Sequence, residues 1–329
     1  IPELQGKYVF GEVGDFSSSG SPPFSRLFYG DPLTGEEFEF VLDTTGLSTP
    51  NALISFGIDD LGEIYLLGAD GNVLEVEGVP ERTWNVDGLA SWTVGGSWNP
   101  ASVPNSPKVT AIFGSTITAD NTVLVNEAVK ADTIRFDNAN RYVLAGLGEV
   151  TVESDSGTAT IEVLNGTHEF QAELNLGSNA TIDLSAGTTL EVNNVLDMQG
   201  FDLQKTGAGT LNINNRLDTG GGNFSGLAGA ISGGGLIAGD VVNNGATVAP
   251  GNSPGKLIIV GDYSQLAEGE MLIELAGTLL ESQYDQLEVT GTVLLDGLIE
   301  IELLDEFQPE VGDIFEILSA SCICDLGVE

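Results

Sequence analysis

The sequence predicts an all-β chain built around a parallel β-helix, and three observations predict it. First, apolar pairs with one residue between them recur through residues 109–255: Val123/Val125, Ile134/Phe136, Val150/Val152, Ile161/Val163, Leu174/Leu176, Ile182/Leu184, Leu190/Val192 and Leu211/Ile213. That alternation is the period of a half-buried strand. Second, the turns between them are short and rich in Gly, Ser and Asn, as in Gly177-Ser178-Asn179 and Asn193-Asn194. Third, each run is too short to bury its own face, whereas stacked runs bury a shared core. A β-sandwich uses similar short strands and is the alternative. Asn-rich turns poor in Pro suit stacked corners and favour the solenoid, which is expected to be right-handed.

Taken in order, residues 1–82 read as an antiparallel β module. Tyr8-Val9-Phe10, Leu27-Phe28-Tyr29, Phe38-Glu39-Phe40-Val41-Leu42, Ile54-Ser55-Phe56, Ile64-Tyr65-Leu66-Leu67 and Val73-Leu74-Glu75-Val76 are its strands, and Asp31-Pro32-Leu33-Thr34-Gly35 and Ala69-Asp70-Gly71-Asn72 are tight turns. Gly6-Lys7-Tyr8-Val9-Phe10-Gly11, Arg26-Leu27-Phe28-Tyr29 and Ser55-Phe56-Gly57-Ile58-Asp59-Asp60-Leu61-Gly62-Glu63-Ile64-Tyr65 resemble the last blades of a glucose/sorbosone dehydrogenase-type β-propeller. The resemblance implies shared strands without the family's quinone-dependent catalysis. The one His of the chain, His168, lies far outside the matched segment.

Residues 83–108 form a lead-in segment rich in Trp and Pro. Trp84, Trp92 and Trp98 are the only three tryptophans of the chain. They are expected to cap one end of the solenoid, since burial is the commoner use of a large ring. The functional alternative is a carbohydrate-binding platform, with indole faces stacked on sugar rings.

Residues 109–255 are the solenoid. Residues 256–329 form an acidic β-rich C-terminal region with 17 acidic residues and one basic residue, Lys256. Its strands alternate acid and aliphatic, as in Leu298-Ile299-Glu300-Ile301-Glu302-Leu303, so one face is expected to be buried and the other lined with carboxylate.

A second resemblance covers residues 84–320. Trp98-Asn99-Pro100, Val103-Pro104-Asn105-Ser106, Lys205-Thr206-Gly207-Ala208-Gly209-Thr210-Leu211, Val248-Ala249-Pro250-Gly251-Asn252-Ser253-Pro254-Gly255, Tyr284-Asp285-Gln286-Leu287-Glu288-Val289 and Gly312-Asp313-Ile314-Phe315-Glu316-Ile317-Leu318 resemble the bacterial autotransporter-associated β-strand repeat and PEP-CTERM-type surface proteins. That resemblance implies an exported, surface-associated solenoid and no enzyme activity. No hydrophobic sorting helix follows Cys322 in this sequence.

Composition narrows the function. Ten Lys and Arg against 49 Asp and Glu leave a net charge of −39. Nucleic-acid binding through phosphates needs clustered cations, and this chain has no such cluster. No apolar run approaches the ~18 residues of a membrane helix. Paired carboxylates are abundant, which raises a glycosidase or lyase: it needs an acid of raised pKa with a partner at fixed separation, a lyase also needs a base near the substrate acid, and with ten bases in 329 residues no basic subset stands out. No cofactor is expected. Calcium is a more plausible ligand than a catalysed substrate, with Asp59, Asp60, Asp137 and Asn138 as oxygen donors in turns. Cys322 and Cys324 are expected on opposite faces of a strand. That disfavours a local bridge and leaves an intermolecular one as the alternative.

The functional expectation is therefore an extracellular structural protein of a bacterial surface, biofilm matrix or fibre. Its partner would be itself, joined head to tail as a filament through solenoid ends, with polysaccharide as a further partner. The alternatives are a carbohydrate-binding or adhesive module and a C-terminal fragment of a larger secreted sugar dehydrogenase.

Overall fold

The computed structural model describes residues 80–328 continuously and, before them, six strands. The chain divides into two compact units, Ile1–Val79 and Pro80–Glu329. In the first, Tyr8–Glu12, Arg26–Gly30 and Glu37–Glu39 form one antiparallel three-stranded sheet, and Leu53–Ile58, Ile64–Gly68 and Val73–Val76 form another. The turns expected at residues 31–35 and 69–72, residues 40–42 of the strand expected at 38–42, and the acids Asp59 and Asp60 lie outside the described residues.

The second unit is a parallel β-solenoid. Each full turn supplies three strands, and each strand pairs with its counterpart one turn on, so the strands form three ladders. One ladder runs through Ala159–Asn165, Ala180–Leu184, Leu203–Thr206, Phe224–Gly226, Val241–Asn243, Tyr263–Gln265 and Thr292–Leu295 to Cys322–Asp325. The next in chain order runs from Ala90–Ser91 to Leu298–Leu303 and is a sheet of 10 strands. The third runs from Glu149–Val152 to Leu318–Ser319. It shares a 20-stranded sheet with the first, because the long strands Ser106–Phe113 and Val129–Asp137 pass through both.

The core follows from the alternation. In Ala180–Leu184 the burial reads buried, half, buried, exposed, buried, and Ile182 stacks between Ile161 and Lys205 in register. All sixteen members of the apolar pairs named above are buried. Burying each aliphatic side chain contributes roughly 1.5–3 kcal/mol, and no turn could collect that alone.

Corners are set by side chains that reach one turn onward. The Asn179 carboxamide oxygen accepts the amide of Asp202 at 3.0 Å, and the Asp202 carboxylate accepts that of Asn223 at 2.9 Å. Asp240 then accepts from Asp262 at 2.8 Å, and Asp262 from Thr292 at 2.6 Å. These residues precede strands that pair in register. The Asn and Asp of the turns thus satisfy corner amides that no strand pairs.

The solenoid begins earlier and ends later than residues 109–255. Glu81–Trp84 already pairs in parallel with the strand Ser106–Phe113. The acidic region 256–329 supplies further turns of the same stack, down to the pairing of Thr292–Leu295 with Cys322–Asp325. Cys322 and Cys324 also depart from expectation. Positions two apart on a strand share a face, and their sulfurs lie 3.7 Å apart.

Candidate functional site

Three places concentrate chemistry: the first end of the solenoid, a set of buried polar groups in its interior, and the last turn.

At the first end, Trp84, Trp92 and Trp98 pack around Phe113, with ring centroids 5.1–6.0 Å apart. All three indoles are buried. Each N–H is used: Trp84 donates to the Val86 carbonyl at 2.8 Å, Trp92 to Pro104 at 2.8 Å and Trp98 to Trp92 at 2.7 Å. Trp98–Asn99 folds back antiparallel on Glu81–Trp84. The segment therefore plugs the core. A sugar ring stacks on an exposed indole face, and none of the three presents one.

In the interior, His168, Lys205 and Asp285 are titratable groups at core positions. His168 stacks on Phe136 at 4.6 Å. Its Nδ1 accepts the Tyr142 amide at 3.1 Å, and its Nε2 lies 2.8 Å from the Asn165 carbonyl. That pair of partners fits the neutral ring with its proton on Nε2. Burial holds its pKa below the ordinary value, against the opposing effect of the Asn165 carbonyl.

Lys205 is fully buried beneath its own turn. Its ammonium donates to the carbonyls of Thr206 at 2.8 Å, Gly207 at 2.8 Å and Ala228 at 2.9 Å. Three acceptors match the three protons of an ammonium. Burial lowers its pKa to about 8, so it stays charged at neutral pH. Gly229 makes room: its φ is +66°, and a Cβ there would run into the Gly207 and Gly209 carbonyls and the Lys205 ammonium. Asn243 and Gln265 follow in the same internal column and donate to backbone carbonyls, of Glu270 and of Asp296 and Leu298. The column, interrupted at Gly226, thus sets polar side chains inside the fold where they bond to backbone carbonyls.

Asp285 is the third. Its two oxygens accept the amides of Gly255 at 2.7 Å and Glu274 at 2.8 Å. Burial pushes its pKa up to about 6, despite those two donors. It borders a cleft of about 330 Å³ with Asn212, Asn252, Ser253 and Glu274. The neighbouring Gln286 amide donates to Gly255, and its side chain reaches the Glu316 carbonyl at 3.0 Å. Segments 248–255, 284–289 and 312–318, distant in sequence, thus meet in one corner.

Of the expected calcium donors, Asn138 is spent on structure. Its Nδ2 donates to Gly114 and Ile117 at 3.0 and 3.1 Å, and its Oδ1 accepts the Asn140 amide at 2.8 Å. Asp137, next along the strand, is exposed. Among the described residues no group of three or more His, Cys, Asp or Glu is arranged to hold a metal ion.

At the last turn the core is uncovered. Ile301 and Leu303 continue the buried column of Ile273 and Leu275, and Ile323 continues that of Val293. Their counterparts are at most 5% exposed, whereas Ile301, Leu303 and Ile323 are 44, 49 and 48% exposed. Outward on the same strand, Glu300 lies beside Glu270, whose pKa is raised by burial and by Glu300.

No protein-family model, curated protein or solved structure matches the chain.

Proposed function

We propose that this chain is a structural protein of a bacterial surface, matrix or fibre, acting outside the cell by self-association through the last turn of its solenoid. The observation that carries the reading is the contrast between its ends. The first is plugged by tryptophan, and the last leaves three core positions about half exposed. A terminal strand also presents unpaired backbone groups, which favour pairing with another chain. Among the described residues the solenoid has one open end, which favours a closed pair, last turn to last turn, as the unit of assembly. A non-enzymatic role is supported by how the interior is used. His168, Lys205 and Asp285 direct their polar atoms at backbone groups of their own fold. The extracellular setting draws on the resemblance to surface proteins and on the −39 charge, which suits a solvated exterior.

Light scattering on size-exclusion fractions and negative-stain microscopy test the reading. The full chain is expected to associate as its concentration rises, and more so in acid, where Glu270, its pKa raised by burial, loses its charge ahead of an ordinary carboxylate. Ile301→Lys is expected to hold the protein monomeric with its unfolding midpoint nearly unchanged. A wild-type chain that stays monomeric at every concentration and pH would overturn the proposal.

A further inference from the structure

We propose that Cys322 and Cys324 are a reactive dithiol that a low-molecular-weight disulfide oxidises to a bridge within one strand. They are the only cysteines of the chain. Both are free thiols on the outward face of Cys322–Asp325, with sulfurs 3.7 Å apart. A disulfide needs about 2.05 Å between sulfurs and Cα atoms no more than ~6.8 Å apart. Two residue steps along a strand span roughly 6.6–6.8 Å, so closure needs only a small pucker. The strand pairs with Thr292–Leu295 on one side and, among the described residues, with no strand on the other. Its free edge can accommodate that pucker without breaking a ladder.

The two thiols differ in access. Cys322 is exposed and Cys324 is half-buried. The neighbouring Cys322 sulfur raises the pKa of Cys324, and Cys322 is the thiol that solvent reaches more readily. That assigns Cys322 as the attacking group and Cys324 as the resolving one.

In the first step the Cys322 thiolate attacks one sulfur of oxidised glutathione. The glutathione S–S bond breaks, a mixed disulfide forms, and one glutathione leaves as thiolate. In the second step the Cys324 thiolate attacks the Cys322 sulfur, the mixed disulfide breaks, and the second glutathione leaves. The chain loses two electrons and two protons. The electrons reduce one oxidised glutathione to two thiols, which take up the protons. A single chain suffices, so the step does not depend on self-association.

Mass spectrometry after incubation with oxidised glutathione tests it. The wild-type chain is expected to lose both free thiols, end lighter by two hydrogen atoms and retain no adduct. Cys324→Ser is expected to stop at a stable glutathione adduct on Cys322, and Cys322→Ser to react more slowly than Cys324→Ser. Wild-type protein that accumulates one or two stable adducts, or that yields only chains cross-linked to one another on non-reducing gels, would overturn the proposal.

Discussion

Asp285 holds two parts of the fold with one carboxylate, and the consequence is measurable. Asp285→Asn keeps the shape but replaces one acceptor oxygen with an NH2 group that faces a backbone N–H. The expected cost at pH 7 is about 1–3 kcal/mol, read by urea unfolding. Its pH signature has a definite sign. The folded pKa of about 6 lies above the ordinary 3.8. As pH falls through that window the native state takes up the proton first, so the wild type gains stability and the variant lacks that gain. The advantage of wild type over variant is therefore expected to grow from pH 7 to pH 4. His168 acts oppositely: its pKa is depressed, so its contribution is full above 6.5 and is lost as pH falls through its folded value.

Single residues were also where the sequence was hardest to read. Leu203-Gln204-Lys205 has the spacing of an apolar pair with a lysine in its second place. That substitution was the signal of a buried ammonium. Its three carbonyl partners come from two successive turns, which spacing alone does not reveal. Asn138 was legible as a turn residue. Its role as a corner cap depends on Gly114 and Ile117, one turn back.

At the scale of elements, strand alternation was legible because burial in a solenoid depends only on which residues point inward. Every apolar pair is buried for that reason. The limits of the solenoid were less legible. The acidic strands 286–303 carry their carboxylates outward and read as a separate region, although their inward positions continue the same columns. The Trp segment is the element most open to test. Trp92→Ala removes a buried ring from contact with Trp98 and Phe113 and leaves the Pro104 carbonyl without its donor. An expected loss of about 3–5 kcal/mol, measured by chemical denaturation, follows. A loss below about 1 kcal/mol would mean that the plug does not close the core.

For the whole second unit, in-register stacking places like charges above one another. Glu169 pairs with Glu191, and Arg141 lies 3.3 Å from the first and 3.0 Å from the second. Arg135 bridges Glu81 and Glu162 in the same way, at 3.4 and 2.6 Å. With ten cations for 49 acids, most carboxylates have no such partner. Arg141→Gln is expected to cost on the order of 1 kcal/mol at low ionic strength and less in added salt. The melting temperature of the wild type is expected to rise as salt screens the acidic surface, and scanning calorimetry over a salt series checks both.

Strand pairing is conserved through turns whose loops differ greatly in size, from the tight step between Phe224 and Val241 to the wide one between Val293 and Ile323. Length is therefore modular in this architecture. Duplicating one complete circuit should extend the rod by a single interstrand repeat of about 4.8 Å, without altering either extremity. A gene carrying such duplications would encode a ruler with graduations set by backbone hydrogen bonding.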